Sequence, residues 1–109
     1  MPRYSANYKD MLLKHLNDAE TAAAYLNEHM KDDGPKRKEL LLQAFKNVME
    51  AQGFTKLSKS SGISRRSLYH AFSDRGNPTL DTLLAILDSI GLELHFSKGG
   101  KKKKLRKAA

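Results

Sequence analysis

Two stretches of helical patterning meet at Gly62, and the short turn between them limits the ways in which this chain can pack. Gly62 suits the positive φ of a tight turn, which residues with a Cβ resist. Ser64 is then placed to cap a helix over residues 65–73. Leu68 and Phe72 fall four positions apart on one side of that helix, so we expect both to face the core. The pattern predicts two short helices packed together across a glycine turn.

Helical patterning also accounts for most of the remaining chain. Helices are predicted over residues 18–30, 35–52, 55–60, 65–73 and 79–90, with Asp18 and Thr79 as N-caps, Pro35 as a first helical residue, and Gly53 and Gly91 as terminators. Residues 1–17 are weakly patterned and suit either an arm or a short helix. Residues 92–96 alternate apolar and polar side chains, which is the period of a strand. We therefore predict an all-α fold of five helices with a short C-terminal strand.

The sequence divides into three parts around one domain. With 109 residues the chain has room for a single small core, which we place in residues 18–97. Within this domain, residues 18–52 hold the first helices, residues 53–75 the helix pair around Gly62, and residues 79–96 the last helix and the strand. Residues 1–17 precede the domain. Residues 98–109 form a basic tail that we expect to be disordered.

Positive charge is concentrated at two places in the chain. The net charge is +8, but seven of the 20 Lys and Arg residues follow Phe96, where there is no acid. Residues 1–97 are therefore almost neutral, with 13 cations against 12 acids. Within them, residues 53–75 hold five cations and one acid, Asp74. A pI of 9.8 is for this reason no evidence of a nucleic-acid-binding fold by itself, whereas the local excess on the helix pair is informative.

The helix pair has the pattern of a helix-turn-helix, whose second helix enters the DNA major groove by its N-terminal end. Arg65 and Arg66 follow the predicted cap, where a guanidinium can pair with guanine O6 and N7. Arginine in a first turn opposes the helix dipole, so contact with an anion explains the pair better than solvation does. The candidate DNA-contacting residues are Lys56, Ser64, Arg65, Arg66, Tyr69, His70, Ser73, Arg75, Asn77 and Thr79. For Tyr69, partial burial is nearly as good an explanation as phosphate contact.

Two segments resemble a known family. Residues 53–94 resemble phage-repressor (Cro/C1, XRE) helix-turn-helix domains, and within them residues 62–94, GISRRSLYHAFSDRGNPTLDTLLAILDSIGLEL, are similar to the HigA-like antitoxins of addiction modules. Residues 19–53, which include AAYLN, resemble the preceding helices of the same antitoxins. The chain departs from the pattern at Ser58, because many of these motifs have alanine there, packed against the recognition helix.

The resemblance implies a type II antitoxin that neutralises a small RelE/ParE-like toxin and represses its own operon. Family repressors read bases with the second and third residues of the recognition segment, here Arg65 and Arg66. They also use a position near its middle, here His70. Two other functions stay open, namely a standalone repressor without a toxin and a protein-interaction module that has lost DNA binding.

Several classes of function find no support in the sequence. The absence of cysteine excludes disulfides and thiolate zinc sites, and the four histidines lack a metal-ligand spacing. No nucleophile is arranged with a base, and there is no glycine-rich phosphate loop, so we expect no enzyme, metal or cofactor. No apolar run reaches the roughly 18–20 residues of a membrane span. We expect a cytoplasmic protein without membrane attachment.

The predicted strand needs a partner, since a lone strand leaves its N–H and C=O groups unpaired. The same strand of a second copy is the most economical partner, with Leu92, Leu94 and Phe96 covering the seam. Such a homodimer would place two recognition helices roughly 34 Å apart, as the half-sites of a palindromic operator require. Pairing with the N-terminal arm or with a toxin stays open. The basic tail is either a solvated charge run or a non-specific contact to DNA phosphates.

Overall fold

The computed structural model of the protein describes residues 6–99, with side-chain surroundings from residue 8 onward. Residues 1–5 of the N-terminal arm, any pairing of the strand with them, and the tail from residue 100 lie outside the described residues. The helices are α1 (Ala6–Leu16), α2 (Ala19–His29), α3 (Arg37–Gln52), α4 (Phe54–Ser61), α5 (Arg65–Ala71) and α6 (Leu80–Ile90). The all-α class is confirmed for this part of the chain.

The described residues form six helices where the sequence predicted five. The additional helix is α1, so the first segment is a short helix rather than an arm from residue 6 onward. α3 begins at Arg37 and not at Pro35, because residues 34–37 form a turn in which the Arg37 N–H donates to the Gly34 carbonyl at 3.2 Å. None of the six helices is both long and apolar enough to cross a membrane.

Most helix ends lie close to where the caps in the sequence place them. The Asp18 carboxylate accepts a hydrogen bond from the Thr21 backbone N–H at 3.0 Å and so starts α2. Thr79 caps α6 in the same way. Gly53 and Gly91 end α3 and α6 with φ of 100° and 92°, a conformation that glycine adopts at little cost.

The helices pack around one core. α1 and α2 pack on α3 and on each other, and α3 leads into α4, which packs against both α5 and α6. The largest fully buried side chains are Leu16, Val48, Met49, Leu57, Leu68, Phe72 and Ile86. The rings of Phe45 and Phe72 lie 5.7 Å apart between centroids and connect α3 to the end of α5. The short helices α4 and α5 are therefore anchored to the long helix α3.

One polar contact joins α2 to α3 near the core. Asn47 is buried, and its Nδ2 donates a hydrogen bond to the Tyr25 hydroxyl at 2.9 Å. A buried polar group that loses its partner costs about 1–3 kcal/mol, so the contact favours one alignment of the two helices.

The burial of Leu68 and Phe72 predicted from the sequence is confirmed.

Three leucines that recur at helical spacing with the other apolar residues of α3 and α6, a pattern that predicts burial, are exposed instead. Leu40 is 43% exposed, Leu80 63% and Leu84 40%. The apolar stripes of α3 and α6 are wider than the surface that the neighbouring helices cover, so residues at their edges remain in contact with solvent. An amphipathic pattern gives the direction of a buried face but not its width.

The strand predicted over residues 92–96 does not form in the described chain. Residues 92–99 have no regular secondary structure. The Leu92 N–H donates to the Leu87 carbonyl at 2.8 Å, and its side chain packs against the core. Leu94 and Phe96 are 48% and 90% exposed. A strand needs a neighbouring strand for its hydrogen bonds, and the described part of this single chain has none.

Candidate nucleic-acid interface

The turn between α4 and α5 is closed by backbone geometry and by two serine side chains. Gly62 adopts the left-handed conformation at φ 79°, and its N–H donates to the Ser58 carbonyl at 2.9 Å. The Ser58 hydroxyl donates to the Ile63 carbonyl at 2.7 Å, and Ser61 Oγ accepts from the Ile63 N–H at 3.2 Å. Ser58, which departs from the alanine of the resembling motifs, thus forms a hydrogen bond that alanine could not make.

α5 is held by its inner face and leaves two arginines on its outer side. Leu68 is fully buried, which fixes the rotation of the helix about its axis. Ser64 caps the helix, because its Oγ accepts from the Ser67 N–H at 3.0 Å and donates to the Ser67 hydroxyl at 2.9 Å. Arg65 and Arg66 follow directly and are both exposed. The Ser64 hydroxyl is therefore used within the helix, and the arginines are the groups offered to a ligand.

Tyr69 on α5 contacts both a buried ring and an arginine. Its ring stacks on Phe54, the first residue of α4, with centroids 4.1 Å apart and planes 15° from parallel. The guanidinium carbon of Arg65 lies 5.9 Å from the centroid of the Tyr69 ring. Tyr69 is nevertheless 43% exposed. The partial burial that the sequence suggests for Tyr69 is thus present, whereas phosphate contact by this residue stays a prediction.

A groove of about 630 Å³ runs between α5 and the start of α6. Its walls include Arg66 and His70 from α5, Arg75 and Asn77 from the loop, and Thr79 at the cap of α6. The Thr79 hydroxyl accepts from the Thr82 N–H, which leaves the first backbone N–H groups of α6 outside the cap bond. Two guanidinium groups beside the N-terminus of a helix form a surface suited to an anion such as phosphate.

The loop that forms one wall of the groove fits tightly against the end of α5. Gly76 is buried, and its N–H donates to the Ser73 carbonyl at 2.8 Å. A Cβ at this position would lie 2.1 Å from the Ala71 carbonyl oxygen, far inside contact distance. Because only glycine fits, the loop can approach α5 closely enough to carry Arg75 and Asn77 to the groove.

The arginines of this surface have no carboxylate partner within residues 8–99. The ion pairs Lys9–Glu50 and Lys31–Glu28, and the contact of Glu93 with His95, all lie away from α5. Arg65, Arg66 and Arg75 are exposed and form none. Their charge is therefore available to an external anion.

Two further candidate residues, Ser73 and Lys56, do not line the groove. Ser73 is half-buried, and its hydroxyl donates to the His70 carbonyl at 2.9 Å, so the side chain serves to end α5. Lys56 is exposed on α4, outside the groove. Between residues 8 and 99, no three His, Asp or Glu side chains cluster in a way that could hold a metal ion.

Sequence reasoning missed several contributors to this surface, namely Phe54 beneath Tyr69 and, in the groove, Ser67, Ala71, Gly76, Pro78 and Thr82. Gly76 lies in a stretch of turn-forming residues. The sequence of that stretch does not show whether a larger residue would also fit at position 76. Phe54 follows a helix terminator and its pairing with Tyr69 joins residues on two helices, so periodicity within one helix could not reveal it.

Comparison with known proteins assigns the chain to a family. A family model described as "probable addiction module antidote protein" matches residues 8–98. The chain belongs to this family of probable antidotes. Because an antidote of an addiction module counteracts a toxin, membership implies a toxin partner, which agrees with the expectation from the sequence.

One relative extends over most of both chains. This chain is 34% identical over 85 residues to an uncharacterized protein of Haemophilus influenzae, which covers 78% of this chain and 84% of that protein. No solved structure matches the chain.

Proposed function

We propose that this antidote binds double-stranded DNA in a sequence-specific manner through α4 and α5, which act as a helix-turn-helix of the phage-repressor type. The observation that carries the proposal is the set of exposed arginines at positions 65, 66 and 75, none of which has a carboxylate partner among the described residues. Unpaired guanidinium groups on one surface favour a polyanionic partner.

The geometry supports a division of contacts between bases and phosphates. Arg65 and Arg66 lie in the first turn of α5, the end that enters the major groove in a helix-turn-helix complex. Arg75, Asn77 and the start of α6 surround the groove beside α5 and are suited to the DNA backbone. Ser64 and Ser73 support α5 through their cap bonds. Lys56 adds charge from α4, and the basic tail is a further candidate for phosphate contact.

We also propose that the protein acts as a homodimer on a palindromic operator. Leu94 and Phe96 are exposed after α6, and an apolar segment of this kind is stabilised when a second copy covers it. In the proposed dimer, Leu92, Leu94 and Phe96 of both copies form one antiparallel seam. The exposed Leu80 and Leu84 of α6 are the alternative seam.

The toxin is proposed to be a small RelE/ParE-like protein, and the antidote to repress the operon that encodes both. On this proposal the chain is a cytoplasmic binding protein with no catalytic activity of its own. Membership in the antidote family supports the toxin partner over a standalone repressor. Co-expression with the neighbouring gene separates these two, because only an antitoxin forms a stable complex with its product and rescues growth.

The DNA proposal is tested with duplexes selected from a random pool by the wild-type protein. We expect Arg65→Ala and Arg66→Ala each to weaken binding to the selected duplex by roughly 1–3 kcal/mol, and to weaken binding to a scrambled duplex much less. Fluorescence anisotropy at a fixed salt concentration measures both. Lys38→Ala is the matched control, since it removes one exposed positive charge from α3, outside the surface.

Equal losses on the selected and the scrambled duplex would identify the two arginines as phosphate contacts. A wild-type protein that selects no duplex and binds none at low salt would contradict the proposal. It would favour the remaining alternative, a protein-interaction module.

A further inference from the structure

The aromatic stack at the junction of α4 and α5 reaches one of the two exposed arginines and not the other. Phe54 is 7% exposed and forms the buried end of the stack. Tyr69 lies flat on it, with 4.1 Å between centroids. Arg65 lies over the Tyr69 ring at 5.9 Å, whereas Arg66 lines the groove beside Arg75. Adjacent residues in one helix thus have different surroundings.

We propose that Tyr69, supported by Phe54, is a positioning residue that holds the Arg65 side chain for sequence-specific contact with DNA. The inference rests on the proposed DNA-binding function and adds a specificity-determining residue to it. Arg65 and Tyr69 are four positions apart on α5, so their side chains are neighbours on the helix surface. A guanidinium over an aromatic face is attracted by the electrons of the ring.

The physical reason for such an arrangement is entropy. A free arginine samples many rotamers and loses that freedom when it pairs with a base. An arginine that already rests on a ring loses less, so more of the pairing energy appears as affinity. The ring itself must be fixed to have this effect. Tyr69 is fixed because its ring stacks on Phe54 and α4 is anchored in the core by Leu57.

This role differs from a phosphate contact by the Tyr69 hydroxyl. Positioning depends on the ring and not on the hydroxyl, so Tyr69→Phe retains it and Tyr69→Leu removes it. A hydroxyl that donated to phosphate would give the opposite result, with Tyr69→Phe weakening the binding of every duplex. Phe54→Leu tests the support, since leucine keeps the apolar contact but offers no flat face for stacking.

The decisive experiment is a pair of double-mutant cycles on the selected duplex, with the scrambled duplex measured beside it. We expect Tyr69→Leu to lower affinity for the selected duplex about twofold to fivefold, and Tyr69→Phe to change it less than twofold. Combined with Arg65→Ala, the Tyr69→Leu effect disappears, because no arginine remains to be positioned. Combined with Arg66→Ala, the two losses multiply. Phe54→Leu behaves as Tyr69→Leu does, and thermal unfolding shows that each variant is folded at the assay temperature.

A second measurement needs no DNA. In NMR spectra of the free protein, the Tyr69 ring displaces the side-chain proton resonances of Arg65 from their usual positions. Tyr69→Leu returns these resonances to their usual positions and leaves those of Arg66 in place. An undisplaced Arg65 in the wild type would overturn the positioning of the side chain, whatever the binding data show.

The outcomes distinguish this inference from the function on which it rests. Suppose that the wild type binds DNA, that Arg65→Ala weakens this binding, and that the losses of affinity multiply in both cycles. This result overturns the role of Tyr69 and leaves the DNA-binding function in place. A wild-type protein that binds no duplex overturns both. Loss of affinity for all duplexes in Tyr69→Phe identifies a phosphate contact and likewise overturns positioning.

Discussion

Ser58 and Gly76 fix the two ends of α5 by different means. The Ser58 hydroxyl donates to the Ile63 carbonyl in the turn before the helix. Gly76 lies against the last carbonyl groups of the helix, where there is no room for a Cβ. The exposed arginines of α5 gain a defined position from both, although neither residue carries charge. At the scale of the residue, therefore, the candidate interface depends on side chains that need not touch DNA.

Gly76→Ala is expected to separate the loop from α5. The new Cβ would lie 2.1 Å from the Ala71 carbonyl oxygen, so either the loop or the end of the helix must move. Overpacking of this kind costs about 1–3 kcal/mol of unfolding free energy, which urea denaturation measures. Gly34→Ala is the control, since its Cβ would meet only the Asp32 side chain at 3.3 Å and the cost should be small. Equal stability of wild type and Gly76→Ala would contradict the close fit.

At the scale of the element, three helices begin at side-chain caps that the sequence identifies. Asp18, Ser64 and Thr79 each accept a hydrogen bond from the backbone N–H three residues later. In α2 the cap is charged, and the hydrogen bonds from the Thr21 N–H and hydroxyl lower the pKa of the Asp18 carboxyl below its ordinary value of 3.8. The cap of α2 therefore depends on pH, and the caps of α5 and α6 do not.

Asp18→Ala is expected to lower the melting temperature at pH 7 and to have a smaller effect in acid. A carboxyl whose pKa is lower in the folded chain contributes its full stability above the ordinary pKa, and loses it as pH falls through the folded value. The melting temperatures of the variant and the wild type therefore converge as pH falls below 3.8. Thermal melts by circular dichroism at several pH values measure this. Asp18→Asn is the control, because it keeps an acceptor for the cap but does not titrate. A difference in melting temperature between wild type and Asp18→Ala that does not narrow in acid would contradict the mechanism.

At the scale of the whole molecule, the segment after α6 leaves apolar surface exposed. Leu92 packs on the core, but Leu94 and Phe96 do not, and Phe96 is 90% exposed. Large apolar side chains in this state favour association, because burial of their surface is worth about 25 cal/mol per Å². The proposed dimer uses this segment, and the spacing of two recognition helices would follow from its symmetry.

Leu94→Lys and Phe96→Lys are expected to convert a dimer to a monomer in sedimentation experiments. A charged side chain at the centre of a two-fold seam would face its own copy, so association and operator binding are lost together. Circular dichroism should show intact helices, since neither residue lies in the core. Ser97→Lys adds the same charge next to the apolar residues and should stay dimeric. If both apolar substitutions leave the dimer intact, the seam lies elsewhere, and Leu80→Lys on α6 is the next variant to test.

The sequence alone determined the local structure of this protein. Helix caps and turn glycines act over four residues or fewer, so the sequence alone predicts their effect. This holds for the caps at Asp18, Ser64 and Thr79 and for Gly62 and Gly91. The outward position of Arg65 and Arg66 followed from the periodicity that buries Leu68. The first helix, the start of α3, the end of α5 and the C-terminal strand were placed differently: α5 ends at Ala71 rather than at residue 73, the first segment is weakly patterned, and the strand has no partner among the described residues.

The tertiary structure decided what depends on residues far apart in the chain. How much of each apolar stripe is covered depends on neighbouring helices, which is why Leu40, Leu80 and Leu84 are exposed. The stack of Phe54 on Tyr69 and the fit of Gly76 under α5 exist only once the helices have packed. Two adjacent arginines that the sequence could not tell apart thereby acquired different surroundings, one over a ring and one in a groove. Periodicity gives each side chain a direction, but packing decides what lies there.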